Sequence, residues 1–256
     1  RADLGYLTRV DNRLYSVGGG LNYYFGIEGE GKIRFRPSLN FLRLESHAGE
    51  LINESREIWL NHWGLYQNWF RIGFRNRDRT AKRFLQNTLD IEGNSTYFKE
   101  NQFEYRLETS VLKNFRLILS GKLGSQIDTD NYRLGDIVEL KPELRWSPTK
   151  NIEIGIKNIY RHLDVDEGRL YTENYLGANL TYHFYKGSFF RLTLIDDYLK
   201  RDPDLYLYED VDEVDREIIT EALFAWKPTQ LNTLFIGAKT GAIDNDVLTD
   251  PSLEEM

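Results

Sequence analysis

From Ile33 to Phe41 the apolar side chains fall on every second position, Ile33, Phe35, Leu39 and Phe41 with Pro37 between them. Lys32, Arg34, Arg36, Ser38 and Asn40 fill the other register. A period of two is the mark of an extended strand, whose successive side chains point to opposite faces. This strand has one oily wall and one charged wall. The pattern recurs and predicts strands over residues 12–25, 32–44, 54–64, 69–78, 102–111, 115–124, 134–147, 151–163, 170–184, 189–199, 215–227 and 231–240. Residues 80–100 fit the alternation poorly and are expected to belong to an extracellular excursion carrying a short extra hairpin.

A soluble sandwich alternates in the same way, with its oily faces packed inside. Here the polar face is often fully ionised rather than merely hydrophilic, and this favours the inverse arrangement, oily side to lipid and charged side to a wet lumen. The expected fold class is all-β, a transmembrane antiparallel β-barrel with about 12 strands in this chain. Short turns such as GIEGEG, LKN, SPTKN, YKGS and KPTQ alternate with longer polar connections such as ESHAGELIN, GSQIDTDNYR and DYLKRDPDLYLYEDVDEVD. Turns on the periplasmic side and loops outside would leave both chain ends at the outer face, so the expectation is a larger barrel of about 14 strands or more. Residues 1–240 are then a barrel segment and 241–256 an extracellular loop of an incomplete chain. The opening RADLGYLTRVD has no signal-peptide character, which fits a processed or truncated chain.

Two features interrupt the strand pattern. Pro37 and Pro142 each remove a ladder donor and are predicted to mark an edge or a bulge. Gly18, Gly19 and Gly20 mark a bent strand, a close approach by another element, or a weak spot.

Fixing the oily register assigns the opposite face. Leu134, Val138, Leu140, Leu144 and Trp146 outward turn Glu139, Lys141, Glu143 and Arg145 inward, and Ile152, Ile154 and Ile156 outward leave Glu153 and Lys157 opposed. Glu104, Arg106 and Glu108, then Arg116 and Lys122, take the same side, as do Arg34 and Arg36. Acids and bases become cross-strand neighbours, a favourable arrangement worth about 0.2–1 kcal/mol per pair. Such a wall serves either as a neutralised, rigid lining or as a selectivity surface for a charged or sugar-like solute. Arg71, Arg75 and Arg77 are the least balanced cluster and the first candidates for anion contact.

Composition narrows the classes. Mean hydropathy is −0.54, and no apolar run approaches the roughly 18 residues of a spanning helix. Any crossing must use strands of about 9–11 residues. Sixteen Tyr, fourteen Phe and five Trp suit the aromatic girdles at a bilayer interface. A net charge of −7 argues against nucleic acid as a partner, and the absence of cysteine removes thiol chemistry and disulfides. His47, His62, His162 and His183 are scattered, and no catalytic motif is found, so no enzyme and no cofactor are predicted. Acid-rich stretches at 210–215, 128–131, 244–246 and 164–168 have the density to attract calcium, but none completes an EF-hand loop. They are expected to be chiefly solvated surface.

From Gly124 onward the segments GSQIDTDNYRLGD, IYRHLDVDEGRLYTENYLGANLTYHFYKGSFFRLTLIDDY and EALFAWKPTQLNTLFIGAKTG resemble the C-terminal barrel of bacterial proteins in the domain-of-unknown-function family 5916. The most specific marks are Leu163, Asp164, Leu170, Tyr182, Phe184, Phe190, Arg191, Leu192, Asn232 and Gly237, and the opening RADLGYLTRVD is also similar. The family's acidic loop is shorter than residues 200–216, and its barrel has a final strand absent here. The resemblance implies a Gram-negative outer-membrane location, contact with lipid and lipopolysaccharide, and a preceding carbohydrate-binding family 9-like domain. It supplies no catalytic residues. The functional expectation is a porin-like channel or uptake barrel, with saccharides as the solute class the companion domain suggests. The alternative is a scaffold barrel that sheathes or anchors a protein partner.

Overall fold

The computed structural model describes residues 12–27, 31–49, 51–65, 68–81, 96–131, 133–207, 211–229 and 232–245. They form one all-β antiparallel sheet: β1 (Asn12–Gly20), β2 (Tyr23–Ile27), β3 (Gly31–Ser46), β4 (Leu51–Trp63), β5 (Trp69–Ala81), β6 (Thr96–Thr109), β7 (Phe115–Asp128), β8 (Arg133–Thr149), β9 (Ile152–Val165), β10 (Gly168–Tyr185), β11 (Ser188–Arg201), β12 (Val214–Trp226) and β13 (Leu234–Asn245). From β3 onward each strand pairs with the next in sequence, and β1 and β2 both pair with β3. The result is an up-and-down meander with no ladder between β13 and β1 among the described residues.

Each stretch of period-two alternation lies in a strand. β1 and β2 keep a single register against β3, Gly20 opposite Ser38 and Tyr23 opposite Phe35, so they are one strand interrupted at Leu21–Asn22. The gap faces Pro37, which has no N–H to donate, although its carbonyl still accepts from the Leu21 N–H at 3.1 Å. Pro142 does the same to the β8–β9 ladder: pairing stops after Leu140–Tyr160 and resumes at Glu143–Lys157 in the same register. The expectation of an edge or bulge at these prolines is therefore corrected. Both sit in interior strands and silence one ladder locally without shifting it.

A further correction concerns the polar connections. ESHAGELIN and GSQIDTDNYR are largely strand, since β3 runs to Ser46, β4 starts at Leu51, β7 runs to Asp128 and β8 starts at Arg133. The excursion expected over 80–100 is strand at both ends, since β5 runs to Ala81 and β6 begins at Thr96, and its remainder, 82–95, lies outside the described residues; β13 continues to Asn245 beyond the expected end at 240. β10, at 18 residues, is about 60 Å long at roughly 3.3 Å per residue, well beyond the crossing length of a barrel strand.

The apolar face is organised as a band. Leu39, Ile58, Phe74, Phe103, Leu123 and Val138 share one register row across β3–β8, but the same row continues into His162, Thr172 and Lys200. In the later strands the apolar residues lie nearer the 150–151 and 186–187 turns, in the row Trp146, Ile154, Leu180, Leu192, Ala222 and Ala238. The band thus runs oblique to the hydrogen-bond rows, the stagger expected of tilted strands in a curled sheet. On its turn side stand aromatic rings, with His62 between Phe35 and Phe70 at 4.5 and 4.6 Å and Phe184 stacked on Phe224 at 5.5 Å. On its other side the same face turns ionic: Arg43 pairs with Glu54 at 2.9 Å, and Arg56 bridges Glu54 and Asp78.

Beyond that ionic zone the connection between β11 and β12 folds back over the charged face. A short 3-10 turn, Pro203–Leu205, is capped by Asp202, and Leu205 and Tyr206 pack on buried Ile137, Leu163 and Leu170. Burial there pushes the Tyr206 phenol up to about 12. The segment is pinned by the β7–β8 turn: Asn131 Oδ1 accepts from the Leu207 N–H at 2.7 Å, and Arg133 donates to the Leu205 carbonyl at 2.5 Å. Asn131 also donates to Asp128 at 2.6 Å. Asn131→Ala is expected to cost about 1–2 kcal/mol locally, which raises opening of the 202–207 segment about 5- to 30-fold. Limited proteolysis should show that increase as faster cleavage after Tyr206 or Leu207, with the strands left intact.

Candidate functional site

The register rows place the sequence-predicted charged residues on one face of the sheet. One row joins Arg34, Trp63, Trp69, Glu108, Ile118, Glu143 and Lys157. The next joins Arg36, Asn61, Arg71, Arg106, Ser120 and Lys141, and a third joins Trp59, Gly73, Glu104, Lys122, Glu139, Arg161 and Glu173. Arg75 and Arg77 follow on β5, and Arg116, Arg145 and Glu153 lie nearer the turns.

Through its middle rows this ionic face is the less exposed one. Trp59 is 3% exposed and Glu139 6%, whereas Ile58, next to Trp59 but on the opposite face, is 61% exposed. No second layer of chain covers the apolar band among the described residues, so large side chains such as Leu39, Phe74, Leu123 and Ile236 stand open. A water-soluble sheet distributes burial the other way.

Cross-strand pairing neutralises much of the wall. Arg75 reaches Glu57 at 2.8 Å and Glu104 at 2.6 Å, Arg116 reaches Glu108 at 2.6 Å, and Arg161 pairs with Glu173. Along single strands Lys141 meets Glu139 at 2.9 Å and Arg145 meets Glu143 at 2.7 Å. Glu100, 2% exposed, sits between Arg77 at 3.5 Å and Arg79 at 3.2 Å and also accepts the Ile127 N–H at 2.8 Å.

The expected unbalanced trio is therefore redrawn. Arg75 and Arg77 have carboxylate partners because β4 and β6 present Glu57, Glu104 and Glu100 to β5. Arg71 has none within ion-pair distance among the described residues; its guanidinium lies 3.7 Å over the Trp59 ring. Arg34 lies likewise 3.5 Å over Trp63. Trp59 can lie flat because Gly73 opposes it: a Cβ on residue 73 would collide with the indole. Its Nε1 donates to Glu57 at 2.8 Å, which fixes the ring further.

The tryptophans were not legible as wall residues. Trp59 sits in the run Ile58-Trp59-Leu60 and Trp69 precedes Phe70, so hydrophobic runs hide their parity. Spacing alone carries one signal: Trp59, Asn61 and Trp63 alternate with Ile58, Leu60 and His62.

Two of the acidic stretches, 128–131 and 164–168, find other uses. Asp128 accepts from the N–H groups of Asp130 and Asn131 and pairs with Arg133 at 3.2 Å, and Asp164 pairs with Arg169 at 2.8 Å. Among the described residues no three His, Asp or Glu groups converge as a metal site would require. Among the described residues no helix is long and apolar enough to cross a membrane.

No protein-family model, curated protein or solved structure matches this chain. Its function is therefore argued from the two faces of the sheet.

Proposed function

We propose that this chain forms wall of a bacterial outer-membrane β-barrel that passes a hydrophilic solute along its ionic face. The observation that carries this is the inverted exposure, an open apolar band opposite a less exposed, ion-paired wall. Lipid is the solvent that makes such a band favourable, because strands satisfy their backbone groups within the sheet and present only side chains outward. The oblique course of the band, the aromatic rings on its turn side and the ionic zone on the other support the same reading. Saccharides enter as the solute class suggested by the resemblance to the family 5916 barrels.

Closure requires the free edges of β1 and β13 to pair with each other or with strands outside the described residues. In planar bilayers the full-length protein is expected to give ohmic conductance steps. An ion-impermeable, correctly inserted barrel would overturn the channel reading, and a chain that stays folded and monomeric in plain buffer would overturn the membrane placement as well. The free edges also favour a second reading, a scaffold completed by or wrapped around another protein. A stoichiometric partner that co-purifies with a non-conducting barrel is its expected signature.

A further inference from the structure

Across the turn-side half of the ionic wall, Arg36, Asn61, Arg71 and Arg106 occupy one register row on four successive strands. The row holds three guanidiniums and no carboxylate. Arg71 and Arg106 are directly opposed across β5 and β6, a like-charge pairing that is unfavourable unless something neutralises it. The nearby acids are already taken: Glu57 and Glu104 hold Arg75, and Glu108 holds Arg116 at 2.6 Å while only grazing Arg106 at 3.7 Å. Arg34 adds a fourth guanidinium one row nearer the turn, also without an acidic partner among the described residues.

The guanidiniums are also held in place. Arg71 lies over Trp59, Arg34 over Trp63, and Arg106 stands 5.7 Å from the Trp69 ring. Stacking on indoles fixes the plane of a guanidinium and leaves its in-plane N–H edge free for a bidentate acceptor. The Nε atoms of Arg71 and Arg34 are buried with no acceptor among the described residues, which is costly for a donor. Arg71 and Arg106 border a cleft of about 380 Å³ lined also by Arg75, Lys122 and Lys141 against two carboxylates, Glu104 and Glu139, so five cations face two acids in a space large enough for a solute of a few heavy-atom groups.

We propose that this row is a binding site for a polyvalent oxyanion, a solute bearing two or more carboxylate or phosphate groups, clamped chiefly between Arg71 and Arg106. It deepens the proposed function, since it rests on the ionic face being wet and reachable. An anion placed there relieves the Arg71–Arg106 repulsion and supplies the acceptors that the fork geometry lacks.

Three of the five tryptophans, Trp59, Trp63 and Trp69, lie at the site and report on it. The full-length protein in detergent micelles is titrated with pyrophosphate and, separately, with citrate, ionic strength being held constant with chloride, while intrinsic tryptophan emission is recorded. A saturable change is expected with at least one of the two probes. Saturation by both assigns shared oxyanion recognition, and saturation by one alone assigns the solute to that class. Arg71→Gln and Arg106→Gln are each expected to weaken it at least about tenfold, the scale of one lost charge-assisted contact. Arg71→Lys, which keeps the charge but loses the fork, should weaken it too, and it guards against a folding defect in the neutral variants. Arg145→Gln, on the same face but paired with Glu143, should leave it unchanged. Emission that follows ionic strength alone, or an unchanged midpoint in Arg71→Gln with native heat-modifiable mobility, overturns the proposal. The assay needs no conductance: binding without conductance would sink only the channel reading, and conductance without binding only this site.

Discussion

Leu119→Arg is expected to destabilise the protein by about 2–4 kcal/mol when it is folded in a bilayer. Leu119 lies on the apolar face of β7 between Leu107 and Pro142, four positions from Phe115 at the turn end and four from Leu123. It is 37% exposed, so in water a polar replacement at such a site would change stability by no more than about 0.5 kcal/mol. The two solvents therefore give different answers for one substitution. Thr172→Arg, on the same face but in the His162–Lys200 part of its row, is the matched control and should cost about 0–1 kcal/mol, the interfacial value. Urea unfolding from liposomes, followed by tryptophan emission, measures both. Equal and small effects at the two positions would place the apolar band outside hydrocarbon and remove the basis of the proposed function.

The second large effect is on the ionic face. Glu100→Ala should cost about 3–5 kcal/mol, because it leaves the Arg77 and Arg79 guanidiniums without their shared carboxylate at an enclosed position. It also strips the acceptor from the Ile127 N–H, which ties the ends of β6 and β7 together. Glu100→Gln retains an acceptor for that N–H and should lose less. If the penalty comes from uncompensated charge, Arg77→Met and Arg79→Met added to Glu100→Ala should recover a large part of it, since an apolar replacement of a whole buried ionic group is often close to neutral. Shifts in the urea midpoint at constant slope read the three variants. A Glu100→Ala protein as stable as its parent would mean that this wall is hydrated well enough to need no internal pairing.

Strand identity was legible where one face was apolar and the other ionic, as in β3 around Phe35 and β9 around Ile154. It faded where both faces are polar. Glu45 and Ser46 at the end of β3, Arg79 near the end of β5, and Lys99 to Asn101 in β6 carry no alternation, so the strands run further than the pattern reaches. Their continuation depends on backbone ladders and cross-strand ion pairs, neither of which leaves a period in the sequence. The same limit explains the arginines of β5: Arg71, Arg75 and Arg77 look equivalent along the chain, and only the placement of Glu57, Glu104 and Glu100 on the neighbouring strands separates the paired from the unpaired.

The sequence by itself determined that the chain is built of strands, that most of them have an oily and a charged side, and which charged residues share a side, because side-chain direction in a strand alternates strictly with position. Only the tertiary structure decided which strands meet in which register, which charges cancel, that Trp59 and Trp63 lie beneath arginines, and that the oily side is the open one. Those properties belong to pairs of strands and to what covers a face. They are fixed by ladder register and packing between residues far apart in the chain, and no local pattern encodes them.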